Sequence, residues 1–227
     1  MVPRASITSN YGSVRRFPYT LSPATPKDLR KVRRLMRETG RWLRRSKQTD
    51  QWTKPWPDRA GQKERMLNDL VMGKTWLVWD DRKVAGTITL DTEEPFAAHG
   101  RPLWPTHKRH ELAVYVRRVV VRRAYAGLGI GAALLDWAAH VANRNHGATL
   151  IRIDAWTTNP GLHAYYEGQR FTRCQGRDPR ELVNYPSQAL FEREIDRSGS
   201  AHAKLFVEAE NPNERKFRWG IRGNWLS

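Results

Sequence analysis

The chain has 227 residues, 39% hydrophobic and 28% charged, an ordinary globular composition that excludes a disordered polymer. No stretch approaches the roughly 18 consecutive apolar residues of a membrane span, the opening residues lack the apolar core of a secretory signal, and one cysteine, Cys174, excludes an internal disulfide or a cysteine metal cluster. Net charge is +17 and uneven, with 13 Lys/Arg against three acids in residues 1–50, so a cytoplasmic protein without membrane contact and with a field that attracts polyanions is expected.

Residues 1–16 read as a basic tail. Phe17 to Leu21 is a candidate first strand, and Pro18 confines it to a sheet edge or a strand start. Thr25-Pro26 then supplies an N-cap and a first-turn proline, with Asp28 in the same turn. Leu29, Val32, Leu35, Met36, Trp42 and Leu43 recur at helical spacing, with arginines on the opposite face. Residues 46–57 form a loop with two prolines and two tryptophans, Trp52 and Trp56, which either contact a ligand or cover the core. A second helix is predicted over 60–72, ending at Gly73. Residues 75–79 and 84–90 read as a hairpin turning at 80–83. After an irregular stretch at 93–109, strand 112–121 leads into Tyr-Ala126-Gly127-Leu128-Gly129-Ile130-Gly131-Ala132 and a helix that stops near Gly147. A strand at 150–156, a short helix opened by Asn159-Pro160 and carrying Leu162, Tyr165 and Tyr166, and strands at 171–174 and 188–195 complete the pattern. Residues 197–227 form a C-terminal extension with room for one added strand at 204–208.

The order strand, glycine turn, helix makes an anion cradle. Glycines let backbone N–H groups approach closely, and the helix N-terminus adds a favourable dipole, so a phosphate-bearing ligand is expected on Gly127, Gly129 and Gly131. Gly127-x-Gly129-x-x-Ala132 also satisfies the dinucleotide fingerprint, with Asp154 placed to grip a ribose. That fingerprint normally opens its domain, whereas two helices and four strands precede it here and only residues 155–227 follow Asp154. The lysine of an ATP-binding P-loop is missing as well.

The segment Val121-Arg-Arg-Ala-Tyr-Ala-Gly-Leu-Gly-Ile-Gly131 resembles the acyl-CoA signature of the GNAT superfamily of N-acetyltransferases, Arg/Gln-x-x-Gly-x-Gly/Ala. Gly129 and Gly131 match its glycines, Gly127 matches a frequent extra one, and Ala126 stands where the family prefers Arg or Gln. Asn159-Pro-Gly-Leu-His-Ala-Tyr-Tyr166-Glu-Gly-Gln-Arg170-Phe171 resembles the second signature, with Arg170 in place of the usual glycine. The resemblance covers roughly residues 17–196. It implies an α+β, three-layer fold: a mixed, mostly antiparallel twisted sheet of six to seven strands flanked by about four helices.

The same resemblance implies that acetyl-CoA is the co-substrate and that no metal is needed. Its pyrophosphate would lie on the backbone from Ala126 to Ala132, its pantetheine arm along Val119 and Val121, with Asn159 a further contact. Asn159 also reads as the N-cap of its helix. A substrate amine would attack the thioester directly, and Tyr166 matches the position of the general acid to the CoA thiolate, its neighbour Tyr165 being expected to pack on the core. A phenol with its ordinary pKa near 10 keeps its proton at neutral pH. For the base, Tyr115 occupies the position of a strand glutamate found in some relatives. Glu111, Asp154, His110 and a solvent relay stay open. Cys174 has no partner at a motif spacing and reads as a strand residue.

The acceptor would be a small-molecule or protein amine, and the positive charge argues against polycations. Two alternatives are an enzyme acting on the amine of aminoacyl-tRNA, with the arginine-rich helix as its footprint, and a non-catalytic acyl-CoA-binding module. A monomer or homodimer is expected.

Overall fold

The computed structural model describes residues 19–94, 102–108, 110–176, 185–196 and 205–209. The predicted tail 1–16, Phe17, Pro18 and most of the extension 197–227 lie outside the described residues. Chain order runs β1 (Tyr19–Pro23), α1 (Leu29–Ser46), α2 (Arg59–Val71), β2 (Thr75–Asp80), β3 (Lys83–Asp91), β4 (Ala113–Val121), α3 (Ile130–His146), β5 (Leu150–Ala155), α4 (Pro160–Gly168), β6 (Thr172–Cys174), β7 (Ala189–Glu194) and β8 (Phe206–Glu208). One sheet holds all eight strands in the order β6-β7-β5-β4-β3-β2-β1-β8. The pairs β4–β5 and β1–β8 are parallel and the others antiparallel. This is the expected α+β architecture with one strand more than the predicted six to seven. The addition is β8, where Phe206 buries its ring and Glu208 accepts a hydrogen bond from Trp137 Nε1 at 2.7 Å.

Local chemistry explains most boundaries. Thr25 and Asp28 form a reciprocal cap, with the Asp28 carboxylate accepting from the Thr25 N–H at 2.9 Å. The first turn, Pro26–Asp28, is a tight 3-10 turn rather than the start of α1, which begins at Leu29. Asp58 caps α2 by accepting from the N–H groups of Ala60 and Gly61, both at 2.8 Å. Gly147 closes α3 at φ +62°.

Alternation along the strands feeds two cores, one on each face of the sheet. Val32, Leu35 and Met36 of α1 and Met66 and Leu70 of α2 pack on Leu77, Val84 and Val120. Ile130, Leu134, Leu135 and Ala138 of α3 and Tyr166 of α4 pack on Val78, Ile88, Val114 and Val116. Residues 114, 116 and 120 share one parity yet serve opposite faces. The reason is a bulge in β4: the register with β3 shifts between Thr87 and Thr89, and Arg118 sits at φ +51°.

That bulge also marks where β4 leaves β5. The parallel pairing ends at Tyr115 opposite Arg152, while β5 continues its ladder with β7 as far as Ala155. Beyond Tyr115 the β5-facing edge of β4 is open.

Candidate active site

The glycine loop sits at the end of this open edge. Its start is anchored by Tyr125, buried and donating from its hydroxyl to Asp80 Oδ2 at 2.8 Å. Gly127 and Gly129 take φ +78° and +74°, with open space where a Cβ would stand, and Gly129 is the N-cap of α3. The first-turn N–H groups of Ile130, Gly131 and Ala132 have no carbonyl four residues back within the helix. Those of Gly127, Leu128 and Gly129 have no backbone acceptor among the described residues. The loop therefore offers a run of unpaired donors. Ala126 must be removed from the predicted set of donors, because its N–H is given to Arg123 O at 3.1 Å. A Cβ on Gly131 would lie 2.6 Å from the Tyr165 hydroxyl, so this glycine lets α4 approach α3.

Between the parted strands lies a cavity of about 280 Å³. β4 contributes residues 116–119, β5 and the turn after it Ile153 to Trp156, and α4 Leu162 and Tyr166. Val119 is thus in the wall, while Val121 packs beside it on the α3 side. Trp52 and Trp56 both reach this cavity.

Tyr166 is 6% exposed and sits among Tyr165, Phe171 and Phe191, with ring centroids 5.6 to 5.7 Å apart. Burial pushes its pKa up, reinforced by Tyr165 and the Asp154 charge. The expected roles of the two tyrosines are reversed in packing: Tyr166 is the core residue and Tyr165 is 37% exposed. Asp154 is half-buried on the cavity wall and accepts a hydrogen bond from the Tyr185 hydroxyl. Burial raises its pKa, opposed by the Tyr185 bond and the Arg117 charge.

Of the three candidate bases, Glu111 and His110 are not brought to the cavity, whereas Asp154 lines it. Glu111 lies just before the start of β4, where its carboxylate accepts from Arg152, a guanidinium fully buried and also bonded to Glu192 and to Lys108 O. His110 is exposed on the turn before it. Tyr115 is buried with its ring 5.1 Å from that of Trp104. Asn159 caps α4, accepting from Leu162 N–H at 3.1 Å, and donates from Nδ2 to Gln51 Oε1 at 2.5 Å. Beside it, Asp50 accepts from Trp156 Nε1 at 2.8 Å and from the Thr158 hydroxyl, which pins the α1–α2 loop to the β5–α4 turn. Cys174 lies on β6 with its thiol pushed up to about 11, first by burial and then by the Glu192 charge, as a strand residue rather than a thiolate.

Several residues lining the site carried no motif in the sequence. Arg65 of α2 stacks 4.5 Å over the Trp56 ring and donates to Trp56 O. Tyr185 meets Trp56 edge-on at 4.8 Å. Arg117 and Arg118 share Asp69, at 3.2 and 2.5 Å, and Arg117 also reaches Asp91. Burial works against Asp69 ionisation, but the two guanidiniums outweigh it and hold its carboxyl below the usual range. The one available hint was an Arg-Arg pair inside an otherwise apolar strand.

Comparison with known proteins identifies the family and the fold. The family profile described as the acetyltransferase (GNAT) family matches residues 39–171. An uncharacterized N-acetyltransferase, YesJ of Bacillus subtilis, is 28% identical over 151 residues, covering 63% of this chain and 76% of that protein. Among solved structures, a GNAT-family acetyltransferase from Listeria monocytogenes superposes with a TM-score of 0.58 at 20% identity, covering 84% of this chain and all of the other. The PaiA N-acetyltransferase of Thermoplasma acidophilum, solved in complex with coenzyme A, gives 0.57 at 16% identity, covering 78% of this chain and 99% of its own. These structures share the fold, the profile spans more than half of the sequence, and the chain belongs to the acetyltransferase (GNAT) family.

Proposed function

We propose that this acetyltransferase moves the acetyl group of acetyl-CoA directly to a primary amine. The observation that carries the proposal is the parting of β4 from β5, with unpaired N–H donors at one end and Tyr166 inside. The backbone from Gly127 to Ala132 suits a pyrophosphate, and the open edge of β4 near Val119 and Val121 suits an amide-bearing arm adding to it like a strand. The PaiA relative binds coenzyme A, which supports the same donor here.

When bound, the thioester supplies an activated carbonyl: a C–N bond forms as the C–S bond breaks. The amine must give up a proton, and Asp154 is the carboxylate on the cavity wall able to take it, directly or through one water. Its raised pKa makes it a stronger base than an ordinary aspartate. Tyr166, kept protonated by burial, donates to the departing sulfur, and solvent exchange returns the proton from Asp154 to the phenol. Asn159 acts as a helix cap and loop tie, and so supports the site without touching the reacting atoms.

Thiol release from acetyl-CoA with a panel of amines tests the reading. Tyr166→Phe should lower kcat by about 100-fold or more, the usual worth of a general acid. Unchanged turnover would remove Tyr166 from the mechanism. Acetyl-CoA should raise the melting temperature and NAD should not; the reverse would restore the dinucleotide reading.

A further inference from the structure

On the other side of Trp52 from the candidate catalytic cavity lies a larger one, of about 930 Å³, between α1 and α2. Met36, Trp52, Gln62 and Met66 line both, so the two spaces adjoin across these side chains. The wall of the outer space carries seven arginines and a single carboxylate, Glu38. That carboxylate is already engaged by Arg34 at 2.7 Å and Arg122 at 3.2 Å. Arg33, Arg37, Arg44, Arg45 and Arg59 have no carboxylate partner among the described residues. At the inner end, Arg65 also lacks one and is held only by Trp56.

The spacing on α1 is informative. Arg33, Arg37, Arg41 and Arg45 stand at successive i,i+4 positions, a column of four like charges with Cβ atoms about 5–6 Å apart. Over 12 residues the column runs about 18 Å along the helix. Like-charge pairs at this spacing destabilise an isolated helix. The apolar face of Val32, Leu35, Met36 and Leu43 already holds α1 to the sheet, so packing does not require the column.

A row of forked cations in a concave groove is matched by a row of anions of similar spacing. A polyamine is repelled, a bilayer is too flat to enter, and one carboxylate would answer only one arginine. We infer that the α1–α2 groove seats a chain of phosphates attached to the acceptor, with its amine reaching past Trp52 and Gln62 into the adjoining cavity that Asp154 and Tyr166 line. The inference deepens the amine-acceptor reading above and rests on it. The phosphate chain belongs either to single-stranded nucleic acid or to a small polyphosphorylated amine.

The test is binding, which needs no turnover. A short fluorescein-labelled single-stranded RNA is followed by anisotropy across a salt series, with tripolyphosphate and hexaglutamate as competitors. Expected are low-salt binding, a slope of log K against log salt near −3 for about four phosphates on the column, and at least a roughly tenfold loss in Arg37→Ser/Arg41→Ser/Arg45→Ser. RNA binding far more tightly than tripolyphosphate assigns the phosphates to nucleic acid; comparable binding assigns them to a small molecule. The inference is overturned by no binding at low salt, by a triple variant that binds like the parent, or by hexaglutamate competing as well as tripolyphosphate. The three positions are exposed, and a retained melting-temperature rise with CoA shows that the variant folds. Failure of that CoA response in the parent protein counts against the donor reading instead, so the two failures are separable.

Discussion

At the scale of single residues the site joins groups whose roles follow from burial. Asp154 has its pKa raised in the folded state above its unfolded value. Its protonated form is therefore favoured by folding, and stability falls as pH rises from the ordinary carboxylate range through the raised pKa. Asp154→Asn should leave the protein as stable or more stable at neutral pH while abolishing the acidic limb of the kcat/KM profile. In the parent, that limb should stand above an ordinary aspartate; a limb that persists in the variant would assign the base to solvent. Arg170 is exposed at φ +64°, just after α4, in the conformation that helix ends give to glycine. Arg170→Gly should stabilise by about 0.5–1 kcal/mol, net of the added unfolded-state entropy, read as a rise in melting temperature. Tyr166 was legible in the sequence because its neighbours from Asn159 to Phe171 form a local pattern. Arg65 and Tyr185 were not, since each is an isolated residue that tertiary packing alone brings to the cavity.

Among the elements, the glycine loop was the clearest in advance and the β4 bulge the least. Three glycines before an apolar helix announce a turn with positive φ, and two of them adopt it. Nothing local marks Arg118 for φ +51°: its conformation is imposed by the departure of β4 from β5 and by Asp69, which holds its guanidinium. The predicted start of the first helix missed for a related reason, since the Thr25–Asp28 cap is satisfied equally by a 3-10 turn. At Gly129 an alanine meets no neighbouring atom but must hold φ +74°. Gly129→Ala should cost about 1–2 kcal/mol of stability and raise KM for acetyl-CoA more than it lowers kcat. Equal loss in both would mean that the loop serves the chemical step itself.

For the whole molecule, periodicity placed nearly every strand and helix, because each has one face to bury. The eighth strand falls within the 204–208 segment that has room for an added strand, but strand order and the adjoining cavities depend on long-range packing and had no counterpart in the linear pattern. The charge asymmetry was visible from composition, but its arrangement as a column along one groove appears only when α1 and α2 are set side by side. The bulge at Arg118 has one more consequence. By reversing the phase of β4 it makes a single strand donate side chains to both hydrophobic cores, Val114 and Val116 to one and Val120 to the other. Neither layer of helices can peel away without disturbing the strand that the other depends on. Thermal unfolding followed by tryptophan fluorescence and by far-ultraviolet circular dichroism should then share one midpoint, and two separated transitions would show the layers melting independently. The strand that parts from β5 to open the candidate cleft thereby also couples the two helical layers, so a change that widens the cleft at β4 also acts on the cooperativity of folding.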